Sequence, residues 1–138
     1  MAATVPFKLI TPTRVVYDGQ AELVIAVTTE GEEGILPKHA PFLAALRPGV
    51  LRANVAADGK TERLELATGE GFMQALPDRV TVLVDEALRF EDVDVARARE
   101  ELAAATERQK AQTIDSPAFA REQAAIDFAN AKLRVTGH

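Results

Sequence analysis

The chain has 138 residues, a formal net charge of −5 and a pI near 5.1, and 47% of its residues are hydrophobic. This length fits one domain or a small domain with an appendage, and the acidic balance argues against nucleic acid as a partner. Cysteine is absent, which excludes disulfides and thiolate chemistry. The N-terminus lacks a secretory or transit signal, and the longest apolar run, 23–27, is far shorter than the about 18 residues of a membrane span. We therefore expect a soluble, cytoplasmic protein.

Residues 1–90 show the period-two alternation of half-buried strands. The clearest runs are 22–28, 63–66 and 79–85, and in the first of these Leu23, Ile25 and Val27 alternate with their neighbours. Turn-forming dipeptides separate the runs, and Asp58-Gly59 is a strong hairpin signal. This pattern predicts an antiparallel β-sandwich or flattened barrel of about ten short strands.

After residue 90 the apolar spacing changes to that of helices. Apolar residues lie three or four positions apart along 95–105 and 119–133, which predicts two amphipathic helices. Residues 91–138 therefore form a predicted C-terminal α-helical hairpin. Its seams are mostly alanine, whose burial contributes much less than the roughly 1.5–3 kcal/mol of a large apolar side chain. Both a mobile hairpin and a tightly packed static one fit this composition.

Polar residues mark the ends of these helices. Asp92 is the expected N-cap of the first helix, with Asp94 placed favourably near its positive end. Ser116 is the expected N-cap of the second helix, and Pro117 occupies its first helical position. The sequence TIDSP is therefore the expected turn of the hairpin.

Side chains suited to catalysis or metal binding are sparse. Ser116 is the only serine, and the two histidines, His39 and His138, do not have metal-ligand spacing. We expect neither a nucleophilic triad nor a His-based metal site. Glu32 and Glu33 are adjacent in what reads as a glycine-flanked loop, and such a pair leaves open a free-standing, carboxylate-dependent hydrolase.

Three segments resemble the epsilon subunit of the F-type proton-translocating ATP synthase. They read TEGEEGILPKHAPFLAALRPGVLR, ATGEGFMQALPDRVTVLVDEALR and EDVDVARAREELAAA. The most specific part is G-x-x-G-I-L-P-x-H-A-P followed by R-P-G, which runs from Gly31 to Gly49. The resemblance implies a non-catalytic subunit of the rotary central stalk, which couples proton flow through the rotor ring to ATP synthesis in the catalytic head. An adaptor unrelated to ATP synthesis would explain the strands and helices but not this motif.

The resemblance also implies partners and a location. In this family the β-sandwich docks on the gamma subunit and on the rotor ring of c subunits. The helical hairpin lies folded on the sandwich or extends along gamma into the catalytic alpha/beta hexamer, where it restrains ATP hydrolysis. The chain would thus be peripheral, on the cytoplasmic face of a bacterial cell membrane.

Ten residues are assigned to these contacts. Docking on the ring and gamma is expected at Glu30, Gly31, Glu32, Glu33, Gly34, His39 and Pro41. Arg121, Lys132 and Arg134 give the second helix a basic character that suits either acidic loops of the catalytic subunits or a solvated face.

Some bacterial members of the family bind ATP as a regulatory ligand through an (I/L)-D-x-x-R-A motif at the start of the first helix. Here VDVARA preserves Asp94 and Arg97, whereas Ala104, Phe128 and Lys132 stand where later arginines are expected. Alanine and phenylalanine make no bidentate phosphate contacts, so we expect weak or absent ATP binding and no other cofactor. The preserved pair equally fits an ordinary contact at a helix start.

Overall fold

The computed structural model describes residues 3–138, in which nine β-strands precede two α-helices. The strands are β1 Val5–Thr11, β2 Arg14–Thr28, β3 Gly31–Ile35, β4 Phe42–Leu46, β5 Gly49–Ala57, β6 Lys60–Thr68, β7 Gly71–Leu76, β8 Arg79–Val84 and β9 Ala87–Leu88. A 3-10 turn at Phe90–Asp92 leads to the helices α1, Val95–Lys110, and α2, Pro117–Val135. The predicted β-sandwich followed by a C-terminal helical hairpin is confirmed.

The long strand β2 joins the two layers of the sandwich. One layer runs β1-β8-β7-β4, and the other runs β3-β2-β5-β6-β9. The first half of β2 also pairs with β1, and its last residue, Thr28, pairs with Leu46 of β4. The hydrogen-bonded circuit β2-β1-β8-β7-β4-β2 therefore closes, as in a flattened barrel.

One strand pair departs from the predicted antiparallel arrangement. β1 pairs with β8 in parallel, with Phe7 opposite Val80 and Leu9 opposite Val82. Parallel neighbours need a long connection, and the six strands between β1 and β8 supply it. All other pairings among the described residues are antiparallel.

The main core lies between the two layers and uses alternate positions along each strand. In β2, Val24 and Ala26 are buried in the core, while Leu23, Ile25 and Val27 lie half-buried on the outer face. In β8 the three valines face inward, as the alternation predicts. The largest fully buried side chains of the core are Phe7, Leu9, Ile35, Leu51, Leu66 and Met73.

The helical hairpin packs on the outer face of β5 and β6 through α2. A second apolar cluster forms there, where Val50 and Ala67 of the sandwich meet Ala131, Phe128 and Val135 of α2. This cluster is small compared with the main core, so the hairpin adheres to the sandwich over a limited apolar area.

The N-cap of α1 is Asp94 and not Asp92. The carboxylate of Asp94 accepts a hydrogen bond from the amide of Arg97 at 3.1 Å, and its backbone is extended. Asp92 instead belongs to the preceding 3-10 turn, where its amide is bonded to the carbonyl of Arg89, and extended Val93 separates it from the helix. The predicted cap of α2 is confirmed, since the Ser116 hydroxyl accepts from the amide of Phe119 at 3.1 Å.

Gly71 is the first residue of β7 and pairs with Leu46 of β4 and with Val84 of β8. A Cβ at this position would overlap the carbonyl oxygen of Leu83 and lie 2.7 Å from Cα of Val84. Both atoms belong to the backbone of β8, which cannot move aside as a side chain can.

We therefore expect Gly71→Ala to lower the free energy of unfolding by about 1–3 kcal/mol or more, because the added methyl group overpacks the sheet. Chemical denaturation followed by circular dichroism measures the effect. Gly34→Ala is the matched control, because its Cβ would meet only Leu23 and Ile25 side chains, at 3.6 Å and 3.9 Å. Equal unfolding midpoints for the two variants would contradict this account.

Candidate docking surface and interhelical cleft

Residues 28–34, expected to be a glycine-flanked loop, form a β-hairpin. β2 continues to Thr28 and β3 begins at Gly31, so Thr29 and Glu30 alone form the turn. The Thr28 hydroxyl donates to the carbonyl oxygen of Gly31 at 2.7 Å and accepts from the amide of Glu30 at 3.1 Å. Gly31 has φ of 119°, a value that disfavours a side chain. Five of the predicted docking residues thus lie on an ordered turn and strand.

The three glutamates of this hairpin point in different directions. Glu30 is exposed at the turn, and Glu32 lies on the outer face, where Nη2 of Arg52 is 2.7 Å from its Oε2. Glu33 lies opposite Ala26, whose side chain faces the core. Consecutive strand residues project to opposite faces. Glu32 and Glu33 therefore do not flank a common site, and the carboxylate-pair hydrolase is inconsistent with this geometry.

The remaining predicted docking residues lie in the connection between β3 and β4. The ring of His39 is edge-on to Phe42 at 6.1 Å between centroids, and its Nδ1 is 2.7 Å from the carbonyl oxygen of Ala40. Pro41 follows, immediately before β4. This connection and the turn at Glu30 lie at opposite ends of β3, roughly 13 Å apart along the strand. The predicted docking residues therefore form two groups.

An apolar row that the sequence reasoning missed crosses the outer face of the closed layer. Directly paired neighbours supply one residue from each of β2, β1, β8, β7 and β4. This outer row consists of Val15, Ile10, Leu83, Phe72 and Ala45. Phe72 is 59% exposed and Val15 55% exposed, Leu43 beside the row is 72% exposed, and Ile10 within the row is half-buried.

A contiguous apolar surface of this kind marks an interaction site more often than scattered exposed residues do. The signal in the sequence was weak but present. Phe72 and Leu83 occupy outward positions of strands whose inward positions, Met73, Val82 and Val84, are already apolar. The row emerges only when the strand pairings align these positions.

The two helices enclose an open cleft of about 370 Å³. Its lining is mixed in charge and comprises Arg97, Glu100, Glu101, Ala104, Arg108, Ala125, Phe128 and Lys132. The structure thus brings together Arg97 and the three positions where the family's later arginines are expected. The N-cap Asp94 lies in an adjoining cleft that shares Arg97, Glu101 and Lys132.

Lys132 is already engaged inside this cleft. Its Nζ lies 2.7 Å from Oε1 of Glu101 on α1 and 4.7 Å from the ring centroid of Phe128, and its side chain is 12% exposed. The other two predicted hairpin contacts, Arg121 and Arg134, are exposed. Only these two are accessible to a partner while the hairpin is folded.

A second ion pair joins the helices nearer the hairpin turn. Nε of Arg108 donates to Oε2 of Glu122 at 2.7 Å. This hydrogen bond lowers the pKa of the Glu122 carboxyl below its ordinary value; burial opposes the shift, and the charges of Arg108 and Arg121 add to it. The pair therefore favours the closed hairpin above the ordinary glutamate pKa of about 4.3, and this contribution is lost as the pH falls through the lowered pKa.

Two further findings concern residues 3–138. Neither helix is long and apolar enough to cross a membrane. Over the same residues, the acidic and histidine side chains form no group of three or more placed to hold a metal ion.

Comparison with known proteins adds sequence relatives. A family profile described as "ATP synthase, Delta/Epsilon chain, beta-sandwich domain" matches residues 4–90, well over half of the chain. The chain is 39% identical to the ATP synthase epsilon chain of Chromobacterium violaceum, over 93% of this chain and 89% of the relative. It is 38% identical to the epsilon chain of Syntrophobacter fumaroxidans, over 98% of this chain and 97% of the relative.

Solved structures agree on the fold. A chain of the Euglena gracilis mitochondrial ATP synthase, from a structure of its OSCP/F1/c-ring, aligns with a TM-score of 0.77 at 21% identity, covering 100% of this chain and 84% of that one. A chain from the central stalk/c-ring structure of the Tetrahymena thermophila mitochondrial ATP synthase aligns with a TM-score of 0.61 at 20% identity, covering 95% and 98%. With the profile match and the bacterial relatives, the conclusion is direct: the chain belongs to the ATP synthase delta/epsilon chain family.

Proposed function

We propose that this chain is the epsilon-type subunit of the rotary central stalk of an F-type ATP synthase. It is non-catalytic and couples proton flow through the rotor ring to ATP synthesis in the catalytic head. The bacterial relatives, which bear the name ATP synthase epsilon chain, support this function. The observation in the chain itself that carries it is the exposed outer row, which has the character of a surface covered by a partner.

The two groups of docking residues suit two different partners. The outer row is broad, apolar and carried by five hydrogen-bonded strands, so it fits a stable contact with the gamma subunit. His39 and Pro41 lead into β4, next to Leu43, and belong with this contact. The second partner, the rotor ring of c subunits, would bind this chain at the acidic turn around Glu30.

At that turn, the exposed carboxylate of Glu30 is the one available to basic loops of the ring, whereas Glu33 is half-buried on the core-facing side of β3. Glu32 is already paired with Arg52, which neutralises it and holds its side chain against β5. Binding to the ring would keep the chain at the membrane as a peripheral subunit, on the cytoplasmic face of a bacterial cell membrane. Charge complementarity of this kind steers and orients docking more than it adds affinity.

We also propose that the hairpin regulates ATP hydrolysis. Residues 91–138 lie folded on the sandwich, and in an extended position they would reach the alpha/beta hexamer and restrain ATP hydrolysis. Arg121 and Arg134 are exposed in the folded form, and Lys132 becomes available to acidic loops only after it leaves Glu101. Opening would therefore add a positive charge to the surface that approaches the catalytic subunits.

The first prediction of the proposed function tests the outer row. Phe72→Asp and Leu83→Asp each place a charge in the proposed gamma contact, and we expect binding to a reconstituted alpha–beta–gamma head to weaken at least about thirtyfold, the scale of a central interface residue. Pull-down and biolayer interferometry measure the binding, and circular dichroism checks folding. Ile114→Asp is the matched control, because Ile114 is 75% exposed and lies in the hairpin turn, outside the five strands that carry the row. Undiminished binding of both row variants would refute the proposed docking face.

The second prediction tests the hairpin. Full-length chain should suppress ATP hydrolysis by the alpha–beta–gamma head, whereas a version ending at Glu91 should bind gamma and leave hydrolysis unsuppressed. A phosphate-release assay measures the rate, and co-purification with gamma confirms that both versions are bound. Binding of both versions with no change in rate would rule out an inhibitory hairpin and leave the stalk function standing.

The third prediction concerns ATP. We propose that the cleft binds ATP weakly or not at all, because Glu101 already neutralises Lys132 and Ala104 offers no phosphate donor. Titration calorimetry should give a Kd weaker than about 1 mM, the level of a few weak contacts. Glu101→Gln combined with Ala104→Arg frees one cation and adds another, so it should strengthen binding about tenfold or more. Tight ATP binding by the unmodified chain would contradict the proposal.

A further inference from the structure

The apolar contact between α1 and α2 is thin. The buried residues of α1 are Ala98 and Ala105, and those of α2 are Ala129, Ala131 and Leu133. Four of these five side chains are single methyl groups, which bury little surface, and one of the four, Ala131, packs against Val50 and Ala67 of the sandwich. Additional contacts must therefore contribute a larger share of the closure of this hairpin than they do in a leucine-rich one.

Two ion pairs supply such contacts, and both cross from one helix to the other. Glu101 of α1 meets Lys132 of α2, and Arg108 of α1 meets Glu122 of α2, each at 2.7 Å. On α1 the two sites are seven residues apart, or about 10 Å along the axis at 1.5 Å per residue. The pairs thus brace the antiparallel helices at two separate levels.

Each pair has one partner that is largely withdrawn from solvent. The side chain of Lys132 is 12% exposed and that of Glu122 is 19% exposed. Water and salt therefore screen these contacts less than they screen the Glu107–Lys110 pair, whose side chains are 73% and 68% exposed and which lies within α1.

The pair at Lys132 also reaches the sandwich. The ammonium group lies over the ring of Phe128, and Phe128 packs against the cluster in which Val50 and Ala67 of the sandwich meet α2. A continuous set of contacts therefore runs from Glu101 on α1 to β5 and β6. Loss of the ion pair would loosen both the helix–helix contact and the seat of α2 on the sandwich.

We infer that Glu101–Lys132 and Arg108–Glu122 form an interhelical clasp that sets how often the hairpin opens and leaves the sandwich. The clasp is built from the chain's own side chains and acts without a bound ligand. Opening releases two acidic and two basic groups together, so the equilibrium responds to ionic strength.

Hydrogen exchange of the full chain, followed by mass spectrometry, tests the clasp. Glu101→Gln and Glu122→Gln should each speed exchange of the α2 amides about three- to fivefold, and the double variant by about the product, because the two sites are well separated. Glu107→Gln is the matched control, since it makes the same change of charge but breaks a pair within α1. In this control variant, the exchange rate of the α2 amides should stay within about twofold of that in the unmodified chain.

A charge exchange separates the ion pair from other effects of substitution. Arg108→Glu alone places two acids opposite each other and should speed exchange, whereas Arg108→Glu combined with Glu122→Arg should return it to within about twofold of the original rate. Rising salt should speed exchange in the unmodified chain more than in the double glutamine variant. The clasp would be overturned if the variant with Arg108→Glu and Glu122→Arg did not recover protection. It would also be overturned if Glu107→Gln sped hydrogen exchange as much as Glu101→Gln or Glu122→Gln does. These measurements use the chain alone, so their outcome is independent of docking on a rotor.

Discussion

The membership of β2 in both layers is the constraint on which the rest of the structure depends. Its 15 residues pair with β1 at one end, β5 in the middle and β3 and β4 at the other end. A register shift between Ala21 and Leu23 lets the strand bend from one set of partners to the next. The proposed gamma contact at Val15 therefore lies on this strand, and the proposed ring contact at Glu30 lies in the turn directly after it.

The sandwich and the hairpin are held together by different physics. The sandwich buries Phe7, Met73 and several leucines between two hydrogen-bonded layers, which favours a rigid body. The hairpin depends on alanine contacts, two ion pairs and a small apolar cluster on β5 and β6. Local opening occurs most readily where the fewest apolar contacts are buried. The helices are therefore better suited to a change of position than the strands. The proposed function, with docking by the sandwich and regulation by the hairpin, matches this division.

Local signals predicted much of the fold. Asp58 and Gly59 both have positive φ and form the turn between β5 and β6, as the Asp-Gly signal indicates. Ser116 and Pro117 likewise start α2. β3 was missed because its glycines and glutamates have low strand propensity, and only pairing with β2 makes it a strand. Asp92 and Asp94 both suit a helix start, and only the backbone conformation of Val93 decides between them.

The candidate surfaces were predicted less completely, because they depend on residues distant in sequence. The alternation in β2 does not say whether Val24 or Leu23 faces the core, since both neighbours are apolar. The outer row requires the register of Ile10 against Leu83, across a parallel pairing that no hairpin turn reveals. The ion pairs between Glu32 and Arg52 and between Lys132 and Glu101 could not be predicted from the sequence either, because they depend on how the elements pack. The resemblance indicated docking residues at 30–34 and a C-terminal hairpin but did not distinguish free charges from paired ones.

The closed circuit of β2, β1, β8, β7 and β4 has a consequence for self-association. β1, β8 and β7 have a paired neighbour on each side, which limits strand addition there, whereas β4 is paired with β7 along its length but with β2 only at Leu46. The second layer ends at β9, which has two residues, and at β3, which carries Glu32 and Glu33. A short edge and a charged edge both discourage fibril-like stacking. Edge-to-edge pairing between copies is therefore disfavoured at β9 and β3, even though the closed layer carries an apolar face.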